Sequence, residues 1–204
     1  MRHGKTRQFD AAAALAAAQN TFLDKGYQAT STRELTQAMG LTQPSLYNAF
    51  GDKRSLFLLA LDDYLNKSLR ARIARAEANH PPAQAIAAFF GESVERALAD
   101  PQHRGCMLIN ASLDASSDDP ALREVVAEEL DDLRAFFERS VRAAQAAGTL
   151  DAGFVPEDVA ANLLAVQVGL RVLSRVMPER ALLEAMVRQA LSMLNLPSMP
   201  PPSC

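Results

Sequence analysis

The chain has no tryptophan, two cysteines, three histidines and no unbroken apolar run of membrane-spanning length. Each shortage removes a class of protein. A bilayer span needs about 18–20 mostly apolar residues in a row, so no membrane partner is expected. Cys106 and Cys204 are too few for a disulfide framework and too isolated for a zinc site. His3, His80 and His103 have no partner at ligand or triad spacing. No H-E-x-x-H, G-x-S-x-G, P-loop or dinucleotide fingerprint occurs, so neither an enzyme nor a cofactor is expected. β-branched residues are sparse and alanine is abundant, which favours helix over sheet.

The first residues, MRHGKTRQFDAAAALAAA, have the charge order of a secretory leader. Asp10 interrupts that pattern, and Leu15, Phe22 and Leu23 continue at helical spacing, so a cytoplasmic protein is expected. The net charge of −3 argues against a nucleic-acid partner, but its distribution argues for one. Residues 1–54 carry seven Lys/Arg against four Asp/Glu, whereas residues 55–204 carry fourteen against twenty. A basic N-terminal piece sits on an acidic body.

Breakers divide the chain into about nine helices with no convincing strand: an all-α fold. The first helix is expected over Phe9–Lys25, ending at Gly26. The second starts at Ser31, where S-T-R-E makes a capping box with Glu34, and stops at Gly40. The third starts at Thr42, carries Pro44 in its first turn and ends near Phe50. Longer helices follow over Asp52–Ala78, Ala83–Asp100, Cys106–Ala115, Ala121–Ala147, Pro156–Val176 and Pro178–Leu194. The expected division is a helix-turn-helix domain over 1–53, a ligand-binding and dimerisation domain over 54–196, and a disordered tail over 197–204.

Helices two and three, joined by M-G-L-T, have the layout of a helix-turn-helix. Leu35, Ala38, Met39, Leu41, Leu46 and Phe50 can bury one side. Thr42, Gln43, Ser45, Tyr47 and Asn48 are then left outward. These short donors and acceptors suit groove edges and phosphates better than bulk water, where Lys and Glu are usual. Pro44 offers a rigid apolar contact. An N-terminal arm of Arg2, Lys5 and Arg7 reaches DNA or is an unspecific basic tail.

Residues 26–57, GYQATSTRELTQAMGLTQPSLYNAFGDKRSLF, resemble the tetracycline-repressor family of bacterial transcriptional regulators. The resemblance rests on G-Y-Q-A-T-S at 26–31, the turn at Gly40-Leu41, and S-L-Y-N-A-F-G-D-K-R-S-L at 45–56. It implies base contacts by Arg33 and Gln43, base or backbone contacts by Pro44, Ser45, Tyr47 and Asn48, and phosphate contacts by Thr32, Thr42 and Lys53. Ala49 stands where many members carry a histidine or tyrosine, which removes one phosphate contact. For Arg33 and Lys53 an ordinary solvated charge is the alternative.

A single helix-turn-helix reads few base pairs, so a homodimer is expected. Val159, Leu163, Leu164, Val166, Leu170, Leu173 and Val176 leave little polar face on one of the last two helices. Leu182, Ala185, Met186, Gln189 and Met193 make a stripe on the other. These two helices are the expected dimer interface, with packing inside one subunit as the alternative. The resemblance also implies an effector cavity, with Leu61, Tyr64, Phe89, Phe90, Phe136 and Phe137 as candidate apolar lining. Plain core is the alternative for the aromatic pairs. Asn110, Gln167 and Arg171 are polar residues on apolar helices that orient a ligand or satisfy each other. Cys106 follows His103, Arg104 and Gly105, where a helix start and nearby cations favour a thiolate. R-G-C-M-L-I-N-A also resembles a run in a branch of the family that includes electrophile and oxidant sensors. A small inert cysteine is the alternative.

The resulting expectation is a homodimeric repressor released from a double-stranded palindromic operator by a small-molecule or electrophile effector. A helical partner-binding protein without DNA binding, and an enzyme, are the competing readings.

Overall fold

The computed structural model describes residues 10–114 and 119–200. Its helices are α1 (Ala11–Lys25), α2 (Thr32–Met39), α3 (Gln43–Phe50), α4 (Lys53–Leu65), a π-helical turn (Asn66–Arg70), α5 (Ala71–Asn79), α6 (Pro82–Leu98), α7 (Met107–Asp114), α8 (Pro120–Ala146), α9 (Pro156–Val176) and α10 (Arg180–Met193). No strand occurs among the described residues. The expected Asp52–Ala78 helix is α4, the π turn and α5 in succession. The arm of Arg2, Lys5 and Arg7, and Cys204, lie outside the described residues.

The chain divides into two compact units, after Tyr64. The boundary expected at residue 53 falls within the first unit's own core. Leu56, Phe57, Ala60 and Leu61 of α4 are buried there with Ala18, Phe22, Leu35 and Leu46. Phe22 and Phe57 meet edge to face at 5.0 Å, and Tyr27 lies 4.8 Å from Phe57. Gln19 of α1 donates to the Ala60 carbonyl at 3.1 Å and to Asp63 at 2.5 Å. Removing α4 would open the floor of the unit.

Local chemistry sets the ends of the short helices. Asp10 accepts from the amides of Ala12 and Ala13 and starts α1. Ser31 accepts from the Glu34 amide at 3.2 Å, and the Ser31 amide donates to Glu34 at 2.8 Å, completing the capping box. Gly40 ends α2 at φ +65°, a conformation that disfavours any side chain. Thr42 and Asp52 cap α3 and α4 by accepting from the amides of Ser45 and Ser55.

The Lys25 ammonium and the Ser31 hydroxyl hold the Glu34 carboxyl down to about 2, below its ordinary value of 4.5. A lowered carboxylate stabilises the fold above its unfolded value and ceases to do so as pH falls through its folded value. Between about pH 4.5 and 2 the first unit therefore loses this contribution. The stability gap between wild type and Glu34→Gln should be flat above pH 6 and close over that window, read by chemical denaturation. A gap that does not change with pH would remove Glu34 as the source.

The second unit is built around α6, α8 and α9. Phe89 and Phe90 of α6 interlock with Phe136 and Phe137 of α8, all fully buried. Phe90 stacks on Phe137 at 5.5 Å, and Phe89 meets Phe137 edge to face at 5.5 Å. Val159, Ala160, Leu163 and Leu170 of α9, with Leu183 and Val187 of α10, extend this core.

α9 is long and apolar enough to cross a membrane by length and composition alone, with a window of mean hydropathy 1.4. Here it packs in the helical body with Gln167 and Arg171 buried. Its apolar residues divide between a covered and a more open side. Val159, Leu163 and Leu170 face inward, Leu164, Val166 and Leu173 are half-buried, and Val176 is exposed.

Residues 197–200, expected to be disordered, are placed against α6, where a side chain on Gly91 would meet Pro200 at 3.2 Å. Leu196 is buried at the head of this segment and anchors it.

Candidate nucleic-acid interface and effector site

On α3 the sequence places Gln43 above Tyr47 and Pro44 above Asn48, one helical turn apart in each row. Leu46 points the other way and is 0% exposed. The outward set is Thr42, Gln43, Pro44, Ser45, Tyr47 and Asn48, all exposed. Leu41 and Phe50, expected as core, are half-buried, and Ala38 is exposed. The anchor of this helix is thus Leu46, supported by Leu35 and Met39 of α2.

The outward face is partly pre-arranged. The Gln43 amide donates to the Tyr47 hydroxyl at 3.3 Å. The Thr42 and Ser45 hydroxyls share a hydrogen bond of 2.8 Å. On α2, Thr32 is half-buried in the first turn and Arg33 is exposed beside it. Lys53 differs from a solvated lysine: its ammonium lies 4.6 Å from the Tyr27 ring centroid and donates to the Gln28 carbonyl at 3.3 Å. A cation held this way keeps its position at lower entropic cost than a free side chain.

The candidate effector residues are divided between the two units. Leu61 and Tyr64 belong to the first unit, where Leu61 is buried and Tyr64 half-buried. Phe90, Phe136 and Phe137 pack on one another as core, while Phe89 also offers its face to a cation. That cation is Arg72 of α5, whose guanidinium carbon lies 4.3 Å from the ring centroid.

Asn110 is committed to its own loop. It donates to the Arg104 carbonyl at 2.9 Å and accepts from Arg175 at 2.9 Å. Arg171 donates to the Gly105 carbonyl at 2.8 Å with one nitrogen, while its Nη1 is buried without a partner. Gln167, one turn earlier on α9, has a buried Oε1 without a partner. Cys106 is half-buried just before α7, and its carbonyl accepts from the Asn110 amide at 2.8 Å.

Arg72 was missed by the sequence reading. It sits at helical spacing with Leu65, Leu69 and Ala76, all buried, and so falls on an apolar stripe. A charged residue on such a stripe was the available signal. Burial, and then the like charge of Arg171, lowers its guanidinium to about 10, below the usual arginine range.

The model for bacterial regulatory proteins of the tetR family matches residues 14–60, and that for the tetracyclin repressor-like C-terminal domain matches residues 82–190. The chain belongs to the TetR family.

Among curated relatives, it is 37% identical over 120 residues to YezE of Bacillus subtilis strain 168, an uncharacterised helix-turn-helix transcriptional regulator. That match covers 58% of this chain and 61% of YezE. It is 29% identical over 125 residues to BdcR of Escherichia coli K12, a helix-turn-helix transcriptional repressor, covering 61% of this chain and 62% of BdcR. The chain thus spans about three fifths of the length of these curated relatives.

The solved structure of the TetR family regulator CifR, as a cysteine mutant with 26-bp operator DNA, superposes with a TM-score of 0.84 at 32% identity. It covers 92% of this chain and 98% of CifR. All three are transcriptional regulators by name.

Proposed function

We propose that this TetR-family chain is a cytoplasmic homodimeric repressor that binds a palindromic operator and is released by a small-molecule effector. The observation that carries the reading is the face of α3, where six exposed small or amphipathic residues surround a buried Leu46 anchor. In this reading Gln43 and Arg33 read base edges. Pro44, Ser45, Tyr47 and Asn48 meet bases or backbone, and Thr32, Thr42 and Lys53 position phosphates. CifR, which shares 32% of its residues with this chain, is seen with double-stranded operator DNA.

The partner copy docks on α9 and α10. The α10 stripe of Leu182, Ala185, Met186, Gln189 and Met193 is half or fully exposed, while Leu183, Val187 and Leu191 face inward. Val176 at 72% and Met193 at 71% are apolar side chains that a second copy would cover. The effector acts by binding better to the state whose two α3 helices are wrongly spaced for DNA.

The test is binding to a duplex carrying the inverted repeat upstream of this gene, followed by fluorescence anisotropy. A phosphate-neutralising dimer loses roughly 10³-fold in affinity between 50 and 200 mM salt. Lys53→Ala should shallow that salt slope and weaken matched and random DNA alike. A protein that ignores the duplex at 50 mM salt would be a partner-binding helical protein instead.

A further inference from the structure

The chain is turned back sharply at the end of α10. Asn195 stands at φ +53°, a left-handed conformation that asparagine tolerates better than most side chains. The Leu196 amide donates to the Leu191 carbonyl at 2.9 Å, and the Asn195 amide to the Ser192 carbonyl at 3.1 Å. This pair of bonds, with Leu191 and Leu196 both buried, is a Schellman helix stop. Pro197 follows and cannot resume the helix. The root of the tail is thereby fixed by local chemistry.

The tip is held more lightly. Gly91 lies midway along α6, where alanine would favour the helix more. A Cβ there would stand 3.2 Å from Pro200 Cδ and 3.8 Å from Met199 Cβ, so the bare backbone is the seat of the tip. Among the described residues, Pro197, Ser198, Met199 and Pro200 make no hydrogen bond or ion pair. Met199 is half-buried and Pro200 is exposed. Beside this seat is a half-open hollow of about 390 Å³. Met199 and Pro200 line it with Ala76 of α5, Ala88 and Val94 of α6, and Glu184 of α10. A second hollow of about 580 Å³ lies between the tail and α10. A firm root, a light tip and open space on both sides describe a hinged strap, not a packed terminus.

The first hollow falls in the size range of small-molecule sites, roughly 300–1,000 Å³. The charges at its rim are answered within the chain. Arg75 donates to Glu92 at 2.5 Å, and Arg180 donates to Glu95 at 3.0 Å and to Glu184 at 3.1 Å. A neutral guest with an apolar body suits such a site, because it asks no paired charge to change partner. We propose that Leu196–Pro200 is a hinged strap over this hollow. Seated on Gly91 it closes the hollow, and lifted it admits a neutral, largely apolar small molecule. This binding does not depend on the repressor reading above.

Titration of the full chain with the neutral dye N-phenyl-1-naphthylamine, followed by fluorescence, tests this. Gly91→Cys with Met199→Cys, built with Cys204→Ser, places two Cβ atoms 3.8 Å apart, a separation at which disulfides close. Closure is read by peptide mass. Oxidation should lock the strap and weaken dye binding by at least about tenfold, and reduction should restore it. Met199→Ser with Pro200→Ser loosens the tip without altering α6. For a strap seated about nine-tenths of the time, that release raises apparent affinity about tenfold. Ala88→Phe, which fills the hollow from α6, should abolish the gain.

The proposal is overturned if the cysteine pair stays open under mild oxidation, because residue 199 then does not rest on α6. It is overturned equally if the oxidised pair binds dye as well as the reduced pair, or if the serine variant binds no tighter than wild type. A gain that survives Ala88→Phe puts the dye elsewhere and removes the hollow as the strap's target.

Discussion

Gln43→Ala should lower affinity for the matched operator by roughly 30-fold to 10⁴-fold while barely changing affinity for random duplex. A good bidentate side-chain contact to a base is worth about 1–3 kcal/mol of discrimination. A two-fold dimer presents it twice, so the two losses add to about 2–6 kcal/mol, and every 1.4 kcal/mol is about a factor of ten. The structure supports Gln43 for this role because its amide is already oriented by the Tyr47 hydroxyl at 3.3 Å. Tyr47→Phe keeps the ring and removes that hydroxyl, so its loss should be smaller than that of Gln43→Ala and in the same direction. Competition anisotropy with matched and scrambled duplexes separates the outcomes. Equal weakening on both duplexes would mean that Gln43 touches only backbone.

The N-terminal unit was legible from the sequence because its helix ends are written in local chemistry. Ser31 with Glu34, Gly40, and Thr42 before Pro44 act within a few residues of themselves, and each performs the expected capping or turn role. Tertiary packing was less legible. Ala38 has the apolar character of a core residue but lies on the outer side of α2, and Phe50 is only half-covered. The domain boundary was drawn where helix-turn-helix character ends, whereas the core that supports it continues through Leu56, Phe57 and Leu61. The apolar richness of α9 concealed two faces, since periodicity alone cannot say whether a half-apolar side is covered by the same chain or by another.

The effector residues were least legible, for a physical reason. Phe89, Phe90, Phe136 and Phe137 have the same sequence signature whether they line a cavity or fill it. Asn110 and Arg171 similarly looked alike as polar residues on apolar helices. Only geometry separates them: Asn110 is satisfied by the loop carbonyl of Arg104 and by Arg175, whereas Arg171 retains an unpaired nitrogen.

Leu46→Ala should abolish operator binding at 37 °C without removing any group that faces DNA. Leu46 is 0% exposed and is the buried anchor of α3, a helix of 8 residues. So short a helix has little stability of its own and depends on packing. Deleting a buried leucine to alanine costs about 2–5 kcal/mol. Small units have little stability to spare, so the first unit should open over a range where the second remains folded. The expected result is an early unfolding transition in the variant, with the dimer intact by light scattering and matched and random duplex bound equally poorly. Binding should recover on cooling towards 10 °C, which distinguishes loss of fold from loss of contact: Gln43→Ala would show no such recovery. Should Leu46→Ala unfold in one step together with the helical body, the two units would be energetically coupled, and α3 would draw its stability from the whole chain rather than from the core of its own unit.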